Sequence, residues 1–303
     1  MKIEWIEDLL VLAQAGTFSR AANMRNLSQP AFSRRIQMLE HWLQVKLVNR
    51  DTNPLELTAA AQRHLDDFRR VLADLNQLRS RMQAQSSDAT RVVLSTQHSL
   101  TISHLPPLLE ALNQDDAPRI NLLVRSENRD ECVTLFMQGQ ADLLLCMEEK
   151  EAQLGMFLPY AERMPLGTET LVPVTAPDSR GQPLHRPRKD KPLPLLSFPP
   201  DTFLGRLLYR RCLDTFMQHY PVSIVHESVF LAGIKEMIMA GLGVGWLPAA
   251  LLQRELKAGS LVVLQHGLKS IEVELGLYHH AEPVPPEAVK HIWEVLRSYR
   301  ADA

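Results

Sequence analysis

From Thr58 to about Gln85 the chain contains neither glycine nor proline, and Ala61, Leu65, Phe68, Leu72, Leu75 and Met82 recur in steps of three and four, broken only at Arg79. That spacing predicts one long helix with a single apolar seam, about three to four heptads long. An exposed stripe between two domains needs a cover, so the seam predicts self-association through a partner helix. The competing possibility is that the helix lies on the core of its own domain. In both cases the helix divides the chain, because Ser86-Ser87-Asp88-Ala89-Thr90 follows as a small polar hinge and the periodicity differs on its two sides.

On the amino-terminal side the spacing is helical. Trp5, Ile6, Leu9, Leu10, Leu12 and Ala13 predict a helix over about residues 4–15, stopped by Gly16. A short helix runs from about Phe18 to Arg25, Asn26-Leu27 turns the chain, and Ser28 offers a cap to a third helix with Pro30 in its first turn. In that third helix Phe32, Ile36, Leu39 and Leu43 form the apolar stripe, leaving Gln29, Ser33 and Gln37, with Pro30 and Arg34 beside them, on the free side. Val45 to Leu57 is short, contains Asn53-Pro54 and alternates at Leu55-Glu56-Leu57, which predicts a two-stranded wing. Between Thr17 and Arg50 six basic residues (Arg20, Arg25, Arg34, Arg35, Lys46, Arg50) face one acid, Glu40, in a chain whose net charge is −2. Three helices, a wing and this local positive balance describe a reader of duplex DNA.

Beyond the hinge, strands alternate with helices, the pattern of parallel sheets covered on both faces. Strands are expected at Val92–Ser95, Ile120–Val124, Asp142–Cys146, Leu171–Thr175, Leu193–Phe198, Ile224–His226, Val244–Leu247 and Val273–Leu277. Helices are expected at Leu105–Leu112, Asp130–Gln138, Leu204–His219, Phe230–Ala240 and Pro286–Tyr299. The chain crosses twice between two lobes, which leaves a cleft, and ligands of open α/β sheets favour crevices at strand carboxyl ends. Residues 178–194, rich in proline, arginine and lysine, are expected to form a solvated loop.

Composition removes several function classes. No apolar run reaches the roughly 18 to 20 residues that cross a bilayer, and the acidic start is unlike a secretory signal, so a cytoplasmic protein without membrane contact is expected. Cys132, Cys146 and Cys212 have no metal or redox spacing and are expected to be buried free thiols. His98 and His104, and the adjacent His279 and His280, lack helical metal-site spacing and are expected to be surface or capping residues, with no metal site. No nucleophile elbow or phosphate loop occurs, and Gly241-Leu242-Gly243-Val244-Gly245 leads into a strand rather than out of one. No enzyme, catalytic residue or cofactor is expected.

Residues 18–50 resemble the LysR-type helix-turn-helix, with its A-A-x-x-x-x-x-S-Q-x-A-x-S-x-x-I-x-x-L-E core. The pieces L-P-P-L-L-E-A-L, F-M-Q-G-Q-A-D-L-L-L and G-L-G-V-G-W-L-P are similar to the family's effector domain in order and spacing, and H-S-L, F-L-G-R-L and G-W-L-P look most like its hypochlorite-responsive members. Departures are Gln44 and Ala61 where the family has glycine, and Val48 where it has an aromatic. The resemblance implies an α/β chain overall: a winged helix-turn-helix over 1–58, a linker helix and hinge over 59–90, and a two-lobed, periplasmic-binding-protein-like α/β effector domain over 91–303. Lobe I would be about 91–165 with 269–303, and lobe II about 166–268.

The resemblance also implies roles. Gln29, Pro30, Ser33 and Arg34 would meet double-stranded promoter DNA, since Gln pairs with adenine, Arg with guanine, Ser with either and Pro30 adds apolar contact, while Arg50 of the wing would reach the backbone or minor groove. A small-molecule effector would be held by Ser99 with Thr101, by Asn128 with Arg129, and by Thr202 and Phe203, with His226 to Phe230 on the opposite wall; Arg129 suits an anion. Each of these has an ordinary alternative as a helix cap or surface residue. The family's assemblies imply a homodimer through the linker helix, a tetramer through the effector lobes, and RNA polymerase as a partner. Two other classes are a regulator switched by methionine or cysteine oxidation and a small-molecule solute-binding protein of the same two-lobed fold.

Overall fold

The computed structural model describes residues 2–49, 55–84, 90–112, 120–151, 161–264, 267–281 and 284–301. Arg50, the Asn53-Pro54 turn and the hinge over 86–89 lie outside the described residues. The head is built from α1 (Ile3–Ala15), α2 (Phe18–Met24) and α3 (Gln29–Leu43). Gly16 ends α1 in the left-handed region at φ +70°, its amide donating to the Leu12 carbonyl. The side chains of Thr17 and Ser28 accept from the Arg20 and Ala31 amides, so each cap sits where a hydroxyl precedes an apolar period. Ile6, Leu9, Leu10, Phe32, Ile36 and Leu39 bury together, with Phe18 edge-on to Phe32.

Gln44, standing where the resembling family has glycine, ends α3 at φ +56° and keeps the glycine geometry with a side chain attached. The buried Glu40 then accepts the Leu47 amide at 2.9 Å and the Val48 amide at 3.3 Å, which pins the wing to α3. The wing itself is β1 (Val48–Asn49) paired antiparallel with β2 (Glu56–Leu57).

The linker departs from the expectation of one helix with one seam. It breaks at His64 into α4 (Ala59–Arg63) and α5 (Leu65–Ala84), with Thr58 capping the first piece. The break lets Leu65 and Phe68 pack against the head core, where Ala61 and Leu72 are fully buried. The front half of the stripe therefore belongs to the head. Val71, Leu75, Leu78 and Met82, again at spacings of four and three, are 44%, 39%, 48% and 68% exposed and form a separate stripe on α5.

The remainder forms two lobes on one curled sheet. Its strand order is β10-β6-β11-β5-β3-β4, with β9 also paired to β6. The strands are β3 (Thr90–Gln97), β4 (Ile120–Glu127), β5 (Leu143–Glu148), β6 (Ala161–Thr175), β9 (Gly245–Pro248), β10 (Val262–Val263) and β11 (Ile271–His280). Lobe I holds the parallel strands β4, β3 and β5, covered by α6 (His98–Ser103), α7 (Leu105–Leu112), α8 (Arg129–Met137) and α13 (Glu287–Ala301). Lobe II adds a parallel pair, β7 (Leu193–Ser197) and β8 (Val222–Glu227), with α11 (Leu231–Met239) and α12 (Gln253–Ala258).

Strand β6 is fifteen residues long and serves both lobes. Only its end was expected, because Glu162, Arg163, Pro165, Gly167 and Glu169 break the apolar pattern of its first part. The helix expected over Leu204–His219 is interrupted: α9 (Phe203–Leu208) passes through a π turn at Tyr209–Leu213 into α10 (Asp214–Phe216).

The histidines correct another expectation, since they are packing and pairing residues rather than surface ones. His280 stacks on Phe136 at 4.1 Å, and burial drives its ring down to about 4. His279 meets the edge of Trp293, and His104 lies 2.9 Å from the buried Glu169. The loop before β7 is ordered by Asp178, which accepts the Arg180 and Gln182 amides, and by the Arg188–Asp190 pair. Among the described residues no helix is long and apolar enough to cross a membrane, and no cluster could hold a metal.

Candidate functional site

Helix α3 presents a continuous polar face. Gln29, Pro30 and Arg34 are exposed and Ser33 is half-buried, while Phe32 and Ile36 on the other side anchor the helix in the core. The periodicity thus fixes which side chains can reach a groove. Arg50 lies outside the described residues, so its position relative to this face is not described.

The basic footprint is smaller than the sequence count suggests. Arg25 Nε donates to Asp8 at 2.7 Å and its Nη2 to Glu7 at 2.6 Å, and Arg35 reaches the other Asp8 oxygen at 3.4 Å. Asp8 is fully buried; desolvation raises its carboxyl above the ordinary value while the two guanidinium groups oppose that shift. Both acids lie on α1, before the basic segment, so a count over residues 17–50 could not include them. Arg20 and Arg34 remain as exposed cations of the helical core, with Lys46 3.9 Å from Glu40.

The second site lies between the lobes, where β3, β4 and β7 end. Its lining brings together Ser99, Asn128, Arg129, Thr202 and Phe203 around a space of about 30 Å³, little more than a water molecule needs. The Ser99 hydroxyl is buried and has no hydrogen-bond partner among the described residues. The Arg129 guanidinium lies over the Phe203 ring at 4.1 Å, and its Nε donates to the Met147 carbonyl at 2.8 Å. Arg129 thus reaches the ring across the gap from lobe I. On the facing wall, Gly205 of α9 runs so close to the Pro199 carbonyl that a Cβ there would lie 2.0 Å from its oxygen.

Three assignments need refinement. Thr101 does not line the space: its hydroxyl bonds to Ser126 at 2.6 Å and to the Gln97 carbonyl, because α6 turns that residue away from the gap. Asn128 and Thr202 do line it, yet their side chains also cap α8 and α9 by accepting the Glu131 and Gly205 amides. The expected wall from His226 to Phe230 contributes Val229 to the lining. Gln97 and His98 were missed, although two polar residues at a strand's carboxyl end were a legible signal. His98 packs edge-on to Phe230 at 5.9 Å, a contact across the lobes. A larger depression of about 190 Å³ lies elsewhere in lobe II against Cys212, Phe216, Tyr220 and Lys269, away from every expected site residue.

Comparison with known proteins matches two family models to the chain. Residues 3–62 match the bacterial regulatory helix-turn-helix protein, lysR family, and residues 85–301 match the LysR substrate binding domain. The chain is 28% identical over 302 residues to the HTH-type transcriptional regulator YjiE of Escherichia coli K12, covering 98% of this chain and 94% of that protein. Full-length HypT from Salmonella typhimurium, a hypochlorite-specific LysR-type transcriptional regulator, is 27% identical with a TM-score of 0.61 and full coverage of both chains. Vibrio fischeri DarR, solved in complex with DNA, is 26% identical with a TM-score of 0.59 over 98% of each chain. With a helix-turn-helix head and a substrate-binding domain matched in this order, the chain belongs to the LysR family of DNA-binding transcriptional regulators.

Proposed function

We propose that this regulator reads its promoter through Gln29, Pro30, Ser33 and Arg34, with Arg50 of the wing on the backbone or minor groove, and that a small anionic effector in the interlobe cleft modulates that binding. The observation that carries the effector reading is that a buried Ser99 hydroxyl, without a hydrogen-bond partner among the described residues, and Arg129 line one space where three strands end. A polar group left without a bond in a buried place costs free energy that a ligand acceptor would recover. The cleft's small volume fits a closed state that opens to admit the ligand. Phe203 offers an apolar wall beside the cation, and His98 and Gln97 add polar edges.

The proposed organisation is a head over 1–58, a linker and hinge over 59–90 and an effector domain over 91–303. A dimer would form through the exposed stripe of α5, a tetramer through the effector lobes, and RNA polymerase would be engaged at the promoter in the cytoplasm. The thiol form of an oxidation switch is disfavoured by burial, which pushes Cys132 up to about 11 and Cys146 up to about 12 and leaves little reactive thiolate.

The DNA-reading half is tested with Arg34→Ala and a set of operators varied at single positions. A bidentate contact to guanine predicts a loss of about 1 to 3 kcal/mol in discrimination at one base pair. Equal weakening on every sequence would assign Arg34 to phosphate instead.

A further inference from the structure

We propose that the first two turns of α8 are a docking surface for the chain's own DNA-binding head, and that the Asp130 carboxylate couples this docking to the separation of the lobes. The second half of this proposal rests on the reading of the cleft as the effector site.

Asp130 is the meeting point of three parts of the molecule. Its Oδ2 lies 3.7 Å from Arg20 Nη2 on α2 of the head and 3.5 Å from Arg206 Nη2 on α9 of lobe II. Its Oδ1 lies 3.5 Å from Arg129 Nη1, the same arginine that stacks on Phe203 in the cleft. One turn further along α8, the Thr134 hydroxyl meets the Gln14 side chain of α1 at 3.3 Å, so the head is held at two points on one helix face. The other side of α8 is fixed in lobe I through Cys132, Val133 and Phe136, which bury against Leu144, Cys146 and Tyr278. Helix α8 therefore moves with lobe I, and whatever displaces it is felt by the head.

The shared oxygen sets the direction of the coupling. Arg20 and Arg206 use the same Asp130 oxygen, and Arg206 also donates to the Asp201 carbonyl, which keeps it attached to lobe II. When the lobes separate, Arg206 is withdrawn and Asp130 is left to Arg20. When the lobes are close, as here, Arg206 shares the oxygen with Arg20 and the Arg20 contact is the weaker for it. Asp130 is partly exposed, so each pair has the modest strength of a surface ion pair. A switch that must reverse needs contacts of that size.

The test uses the full-length chain with Gln14→Cys and Thr134→Cys, both at sites where the head meets α8. The three native thiols are buried, so a short bismaleimide, which spans the reach lost when Gln14 is shortened to cysteine, reports on the introduced pair. The expected result is an intrachain cross-link whose formation slows about two- to fivefold on adding Asp130→Asn or Arg20→Gln, and no further when the two are combined. Adding Arg206→Ala should speed it by about twofold, since a competitor for Oδ2 is removed. Circular dichroism and thermal melting of each variant report that the head is folded. Failure to cross-link, cross-linking between chains, or rates indifferent to Asp130→Asn would overturn the docking surface. Rates indifferent to Arg206→Ala would overturn the coupling. No effector is added, so these outcomes do not depend on whether the cleft is the sensor; a cleft that senses nothing is exposed by a separate reporter measurement with cleft variants.

Discussion

At the scale of single residues, Arg25 and Arg34 are alike in sequence and opposite in role. Arg34 stands exposed on α3, whereas Arg25 holds the buried Asp8 carboxylate at 2.7 Å. Removing Arg25 leaves the buried Asp8 with only the longer Arg35 contact, so Arg25→Ala is expected to destabilise the head by up to about 3 kcal/mol. Thermal unfolding should show the loss; an unchanged melting temperature with weaker operator binding would make Arg25 a phosphate ligand. His280 carries a pH dependence with a definite sign. Its folded value, driven by burial to about 4, lies below the unfolded value of about 6.5, so the unfolded chain binds more protons between these limits. Stability contributed by the neutral ring is complete above about pH 6.5 and is lost as pH falls toward 4, reaching about 3 kcal/mol. Urea unfolding across that window should show wild-type stability falling with pH more steeply than that of His280→Phe; equal pH dependence in the two would place the proton elsewhere.

At the scale of elements, the linker shows what periodicity can and cannot decide. A stripe in steps of three and four identifies a helix, but it does not say which surface covers the stripe. Ala61 of α4 and Leu72 of α5 are buried in the head, while Val71, Leu75, Leu78 and Met82 of α5 are exposed. The two sets therefore respond differently to a charge. Leu78→Asp with Met82→Asp should dissociate the dimer proposed through α5 and leave the head melting unchanged, whereas Leu72→Asp should unfold the head because its carboxylate is buried without a partner. Light scattering and thermal melts separate the outcomes, and a native assembly in Leu78→Asp/Met82→Asp would move the interface off α5. The wing behaves in the same manner: Gln44 holds the left-handed end of α3 that a glycine would adopt freely, so the departure from the family leaves the element in place.

At the scale of the molecule, what was legible depended on how local the determining contacts are. The recognition helix was legible because its burial stripe and free face are set within one helix, by Phe32, Ile36 and Leu39 against Gln29 and Arg34. The neutralisation of Arg25 was hidden because Asp8 lies on another helix. The first part of β6 was hidden because its polar residues are accommodated between β11 and the lobe edges, a long-range circumstance. Cleft residues were legible as polar groups at strand ends, but Thr101 and His98 exchange places because α6 rotates one out and the other in. On the reading proposed above, a cleft ligand governs promoter binding by the head. The most direct measurement is a promoter reporter, paired with operator affinity of the purified proteins, comparing wild type with Ser99→Phe and Arg129→Gln under a condition that changes wild-type expression. Both variants are expected to bind the operator within about threefold of wild type, as separate cores require, and neither is expected to respond to the condition. A normal response in both would contradict it and would move sensing out of the cleft.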